Sequence, residues 1–223
     1  MRSDMRSDWR EARWVVVDIE TTGLNPTRDR VLEVAAVVHE TGCADTAWYV
    51  ALDPQVAISP TARSIVGEVA ENCAGRPTFA EAADDLLSLL NGAVVVSCGV
   101  MEFDWPFITA ELERAGREPP TPLPLLLDPL LWTREVGGER CRNLAAACRA
   151  LGVPEPRSPA PQDACEATLA LMLELAPGLP GAPAAILELQ DQSRAARESE
   201  RTAARELRRA ASAAAQAEYS TAT

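Results

Sequence analysis

Apolar and polar positions along this chain recur with two different periods. Val15-Val16-Val17 leads into Asp18-Ile19-Glu20, residues 31–38 are almost wholly apolar, and residues 46–52 alternate around Trp48 and Val50. Runs of this kind, rich in β-branched residues, predict strands. The connections are short: a polar turn at 24–30 around Asn25-Pro26 and a hairpin-like turn at His39-Glu40-Thr41-Gly42. Three strands joined this way predict an antiparallel meander. Beyond residue 60 the period changes to that of helices. A short helix is expected at 61–66, and a longer one opens at Thr78, with Glu81 three residues on as a capping box, and stops at Asn91-Gly92. Residues 93–97 are continuously apolar, as in a strand covered on both faces. Helical spacing returns at 104–115, 142–151 and 163–175, with a short fifth strand at 125–128. The pattern predicts an α/β fold: a mixed five-stranded sheet, first a three-strand antiparallel meander and then alternating strands and helices, with helices on both faces.

After Pro177-Gly178-Leu179-Pro180-Gly181 the sequence predicts a long Ala/Arg/Glu helix over 184–217. Arginines 194, 197, 201, 205 and 208 share one face of it. That stripe reads as a solvated face paired to flanking acids at i,i+4 spacing, with phosphate contact as the alternative. The expected organisation is a loose N-terminal segment at 1–13, one domain at 14–176, a Pro/Gly linker at 177–183, and a helical C-terminal region at 184–223.

Composition narrows the function classes. The formal net charge is −12, which argues against a general nucleic-acid coat. Residues 184–223 carry equal numbers of arginines and acids, so the excess negative charge lies upstream. No apolar run reaches the length of a membrane span, and the N-terminus has no apolar signal core, so a cytoplasmic protein with no membrane partner is expected. Six scattered cysteines without a C-x-x-C pair read as buried free thiols.

The candidate chemistry lies in acids that interrupt apolar segments. Asp18 and Glu20, two apart on a strand, point to one face. Two buried neighbouring carboxylates repel, and a hard divalent cation relieves that cost. Asp104 stands where a helix begins beyond the fourth strand, and Asp163 where another begins; each also reads simply as a favourable helix-start residue. Ligands in such sheets collect beyond strand ends, so Asp18, Glu20, Asp104 and Asp163 are expected to meet there. Four carboxylates suit two Mg²⁺ or Mn²⁺ ions roughly 4 Å apart, one activating water and one stabilising a leaving oxygen.

The stretch Asp18-Ile19-Glu20-Thr21-Thr22-Gly23-Leu24, followed by Arg76-Pro77-Thr78-Phe79, Phe103-Asp104 and Asp163-Ala164, resembles the successive motifs of the DnaQ-like 3′–5′ exonucleases. These are the DEDD superfamily on a ribonuclease H-like fold. The resemblance covers roughly residues 14–175. It implies that Asp18, Glu20, Asp104 and Asp163 are catalytic metal ligands, and that Thr21, Thr22, Leu24 and Phe103 hold the terminal nucleotide.

The departures from the family are specific. Its histidine branch places a general base five residues before the last aspartate, here Ser158; its tyrosine branch places one four before, here Pro159. A frequent His-Asn before the third acid is Gly99-Val100, a frequent His-Gly is Val66-Gly67, and the one histidine, His39, reads as a turn residue. Glu166 and Glu102 are the local substitutes for a base. The sequence therefore predicts a metal-dependent 3′–5′ exonuclease acting on the 3′ end of single-stranded DNA or short RNA, slow or alkaline-shifted. The alternative is a catalytically impaired binding module, or a subunit that docks a polymerase or other protein through the C-terminal helix.

Overall fold

The computed structural model describes residues 8–58, 63, 67, 72–133 and 141–221, with side chains up to residue 209 in the last helix. The helix expected at 61–66 and the Val66-Gly67 position lie wholly or largely outside these residues. Five strands form one sheet in the order β3-β2-β1-β4-β5. They are β1 (Trp14–Thr21), β2 (Val31–His39), β3 (Thr46–Ala51), β4 (Val94–Val96) and β5 (Leu125–Leu127). The first three are antiparallel, as the short connections require, and β4 and β5 add in parallel beside β1. Among the described residues the helices are α1 (Phe79–Leu90), between β3 and β4, α2 (Asp104–Arg114), between β4 and β5, and then α3 (Leu144–Leu151), α4 (Pro161–Leu175) and α5 (Pro183–Thr221). This is the expected α/β architecture with a long C-terminal helix.

Strand alternation divides β1 between two cores. Val15, Val17 and Ile19 pack with Phe79, Leu86, Phe107 and Leu112 of α1 and α2. Trp14 and Val16 pack on the other face with Cys148, Leu171 and Met172 of α3 and α4. Asp18 and Glu20 continue this second series, so they belong to the face covered by α4.

Several boundaries differ from the sequence reading. α4 starts at Pro161, a residue suited to the first turn because it has no N–H to satisfy, so Asp163 is its third residue. α3 starts at Leu144 because the Asn143 side chain accepts from the Ala146 N–H at 2.9 Å and caps it. Asp128 falls outside β5 and caps the following 3-10 turn by accepting from the Leu130 N–H at 3.0 Å.

Residues 8–13 are not loose. Trp9 is 2% exposed, stacks on Trp14 at 5.5 Å, and donates from its indole N–H to the Pro180 carbonyl at 2.7 Å. The Pro/Gly stretch is therefore fastened to the N-terminal turn. Nor are all six thiols buried: Cys141, Cys148 and Cys165 are, Cys73 and Cys98 are half-buried, and Cys43 is exposed in the turn after β2.

α5 is longer than expected, and its first half is part of the fold. Ile186 is fully buried, and Gln190 accepts from the Asp128 N–H and donates to the Leu126 carbonyl, both at 2.9 Å. One amide thus satisfies the outer edge of β5, which would otherwise offer unpaired backbone to another chain. Among the described residues no single helix is long and apolar enough to cross a membrane.

Candidate active site

β1, β4 and β5 run parallel with Val16, Val96 and Leu127 level. Their C-terminal ends therefore form one rim, and the residues just beyond it are Asp18 and Glu20 from β1, the 97–104 loop from β4, and Asp128 from β5. β4 stops at Val96, which leaves the Ile19 N–H without a ladder partner on that side. Asp104, at the start of α2, accepts from Ser97 Oγ at 2.6 Å, and its carboxylate lies near enough to the Ile19 N–H to be stabilised by it. It is 3% exposed.

On the other side of β1, Glu33 of β2 stands directly across from Glu20. The register slips between Glu20 and Thr21, so the chain bulges out of the ladder next to the acids. Glu33 is buried and accepts from the Tyr49 hydroxyl. Three expected residues and one unexpected one therefore share an electrostatic neighbourhood: Asp18, Glu20, Asp104 and Glu33.

Burial dominates the titration of these groups. It pushes the Asp18 carboxyl well above the usual range, with Asp104, Glu20 and Glu33 adding repulsion. Burial and then repulsion from Glu33 and Asp104 raise Glu20 to about 7. Asp104 rises to about 6 through burial, against the lowering effect of its hydrogen bonds. Glu33 is also raised by burial, partly offset by Tyr49 and Arg76. The donors are hard oxygens on a rim where negative charge is crowded and poorly neutralised. That chemistry fits Mg²⁺ or Mn²⁺.

A stability prediction follows. A carboxyl whose folded value is raised binds more protons folded than unfolded, so stability falls as pH rises. For Glu20 the window runs from 4.5 to about 7, and for Asp104 from 3.8 to about 6. Thermal melting of metal-free protein is expected to occur at higher temperature at the acid end of this window than above it. Mn²⁺ is expected to raise the melting temperature strongly above the window and weakly below it. Equal shifts at both ends would contradict this origin of the acidity.

Asp163 is not gathered with the other three. Its carboxylate accepts from Arg157 Nη2 at 2.7 Å and from Ser158 Oγ at 2.7 Å, and these partners hold its titration below the ordinary value. Its helix does lie over the right end of the sheet, since Cys165 donates to the carbonyl of Ala35, the residue paired with Asp18. Among the described residues no group of three or more His, Cys, Asp and Glu side chains is drawn into metal-holding geometry. The physical reason is visible: the strand acids repel one another, and an arginine already neutralises the helix acid.

The turn residues have structural work of their own. Thr21 Oγ1 donates to the Gly23 carbonyl at 2.6 Å, and Thr22 Oγ1 accepts from the Arg30 N–H at 2.9 Å. A Cβ on Gly23 would run into the Asp29 carboxyl, which would have to leave the Asn25 N–H it accepts from. Leu24 is 86% exposed at its tip. Phe103 packs against Phe107 with ring centres 5.0 Å apart. Ser158, at the position of a base in the histidine branch, spends its hydroxyl on Asp163. Glu166 is ion-paired to Arg157 at 2.6 Å. His39 pairs across from Trp14 at the start of β1, at the opposite end of the ladder from the acids, and bonds Asp45 at 2.7 Å.

Sequence reasoning passed over Glu33, Tyr49, Ser97 and Arg157. Glu33 carried the same signal as Asp18, an acid inside a β-branched run. Ser97 and Arg157 carried none that local pattern reveals.

Comparison with known proteins agrees with this arrangement. An exonuclease family model, RNase T, matches residues 15–166. The 3′-5′ exonuclease DinG of Bacillus subtilis is 31% identical over 109 residues, which is 48% of this chain and 12% of that protein. DNA polymerase III subunit epsilon of Escherichia coli is 27% identical over 116 residues, covering 47% of this chain and 48% of the subunit. This chain thus spans only a fraction, at most about half, of these relatives. Escherichia coli exonuclease I in complex with a dT13 oligonucleotide superposes with a TM-score of 0.63 at 18% identity, over 74% of this chain and 40% of that one, a likeness of fold. The match over two thirds of the sequence, on a ribonuclease H-like sheet with acids at the rim of β1 and β4, places this chain in the DnaQ-like exonuclease family.

Proposed function

We propose that this chain is a metal-dependent 3′–5′ exonuclease that hydrolyses the terminal phosphodiester bond of single-stranded DNA or short RNA. The observation that carries this reading is the cluster of half-buried Asp18 and Glu20 with buried Asp104, whose ionisation is suppressed by desolvation, and for Asp18 and Glu20 also by repulsion from neighbouring acids. Such a cluster is costly unless a cation occupies it. Two Mg²⁺ or Mn²⁺ ions, when bound, supply a water of lowered pKa and positive charge for the leaving oxygen. Asp18, Glu20 and Asp104 would hold them, with Asp163 joining on release from Arg157. Leu24, exposed beside the rim, and Phe103 would meet the terminal base, while Thr21 and Thr22 fix the turn that presents Leu24. Ser97 orients Asp104. Arg76 Nη1 is buried without a hydrogen-bond partner among the described residues and neighbours the Glu33–Tyr49 pair, so it would be the donor available to a substrate phosphate there.

Among the described residues no histidine or tyrosine stands at the family's general-base position, which is Ser158 or Pro159. A positioned base contributes roughly 10²–10⁴-fold, and this protein would lack that factor. The rate is expected to climb with pH into the alkaline range, and Ser158→His to raise the neutral rate and flatten that climb. A wild-type rate already level from neutral pH upward, and indifferent to Ser158→His, would overturn the missing-base reading. The contact of Arg157 with Asp163 favours a second reading, a catalytically impaired module that binds strand ends or a polymerase. It predicts metal binding and strand binding without hydrolysis at any pH.

A further inference from the structure

The arginines that share one face of α5 are half-buried at 194 and 197 and exposed at 201, 205 and 208. Arg197, Arg201, Arg205 and Arg208 line one wall of a groove of about 480 Å³, with Arg142 from the start of α3 on the opposite wall. Glu200 is the acid among its lining residues. The groove continues past Arg142, Arg197 and Arg201 into a second cleft, whose far wall is Cys98, Gly99 and Glu102 of the β4–α2 loop together with Asp128. Two residues beyond Glu102 that loop delivers Asp104. Along this stripe Arg194 is ion-paired to Asp191 at 2.7 Å, and Arg197 lies within electrostatic reach of Asp128 at the inner end. In a chain of net charge −12, five arginines around one groove are a local reversal of sign.

We infer that this groove is a track for the phosphates of a single strand whose 3′ end lies at Asp18 and Asp104. The inference rests on the exonuclease reading for the position of that end. Two features favour nucleic acid as the occupant. The positive wall is continuous with the loop that carries Asp104. Its charges advance along α5 by four, four and three residues, about 4.5–6 Å, a step on the scale of successive phosphates in an extended strand. The planar fork of an arginine suits phosphate oxygens. The acids Glu102 and Asp128 lie at the inner end, where the strand would pass from arginines to metal.

The test measures binding in EDTA, so that hydrolysis plays no part. Fluorescent oligothymidylates are used, one just long enough to fill the carboxylate rim and one long enough to reach Arg208. The variant is Arg201→Gln/Arg205→Gln/Arg208→Gln, with its melting temperature checked against wild type. For the long strand, affinity is expected to fall at least about tenfold, and the slope of log affinity against log salt to shrink by about 2. The loss is confined to the long strand. An unchanged affinity and slope in a folded variant would overturn the track, and so would an equal loss of binding to polyglutamate, which would mark a general polyanion surface. Arginine-dependent binding of the long strand without hydrolysis in Mn²⁺ would keep the track and sink the exonuclease reading. Hydrolysis with no arginine dependence would do the reverse.

Discussion

Asp18→Asn is expected to abolish metal-dependent hydrolysis while making the metal-free protein more stable. Asp18 is half-buried in the second half of β1, and desolvation, then Asp104, Glu20 and Glu33, oppose its ionisation. An amide of the same shape removes that repulsion, so metal-free Asp18→Asn should melt at higher temperature than wild type above neutral pH. The two should converge at the acid end of the window, where the native carboxyls are already protonated. The same change removes a carboxylate proposed to hold the metal. Loss of several kcal/mol of charge stabilisation at the reacting phosphate corresponds to about 10³-fold or more in rate. Melting curves with and without Mn²⁺, run beside the activity assay, check both halves. A destabilised Asp18→Asn that still hydrolyses would mean that Asp18 serves the fold instead of the metal.

Glu111→Ala is expected to destabilise the whole fold. Glu111, on the inner face of α2, is 1% exposed and accepts from Arg30 Nε at 2.7 Å, Arg30 Nη2 at 3.0 Å and the Val31 N–H at 3.1 Å. Removing the carboxylate leaves a largely buried guanidinium and a buried N–H without their acceptor. Breaking one partner of a buried pair costs about 3–5 kcal/mol. For a chain of this size that is a fall of about 6–20 °C in melting temperature. Arg30 also brackets the metal-site turn, because Thr22 and Arg30 exchange backbone and hydroxyl hydrogen bonds. Activity should therefore fall well below the melting temperature, as the turn after Glu20 loosens. A variant within about 2 °C of wild type would show that the pair is dispensable.

The strands and most helices were legible because their signals are local. A β-branched run bounded by turn residues needs no distant partner to be recognised. The acids Asp18 and Glu20 were legible for the same reason, as polar residues at positions an apolar strand should fill. Glu33 offered that signal equally and went unread, because it lies outside the family motif. What the sequence hid depends on contacts between distant segments. Trp9 looked like part of a loose tail, yet its partners are Trp14 and Pro180. Gln190 looked like a polar residue on an exposed helix, yet it satisfies the edge of β5, whose residues lie over sixty positions earlier. Asp163 was placed among the ligands by its motif, and the Arg157 contact that diverts it depends on how a proline-rich loop folds back on the helix start. The arginine stripe of α5 was visible, but periodicity along one helix does not reveal the second wall of a groove.

The most direct test of the central claim is to follow a 5′-labelled single strand, as DNA and as RNA, with Mn²⁺ and with EDTA from neutral to alkaline pH. Asp18→Asn serves as the control. The account predicts a ladder shortened from the 3′ end with release of 5′-monophosphates, faster at alkaline pH, absent in EDTA and absent in the control. An intact strand at every pH, in protein whose melting temperature Mn²⁺ raises, would contradict it and leave a metal-binding module that has lost the chemistry.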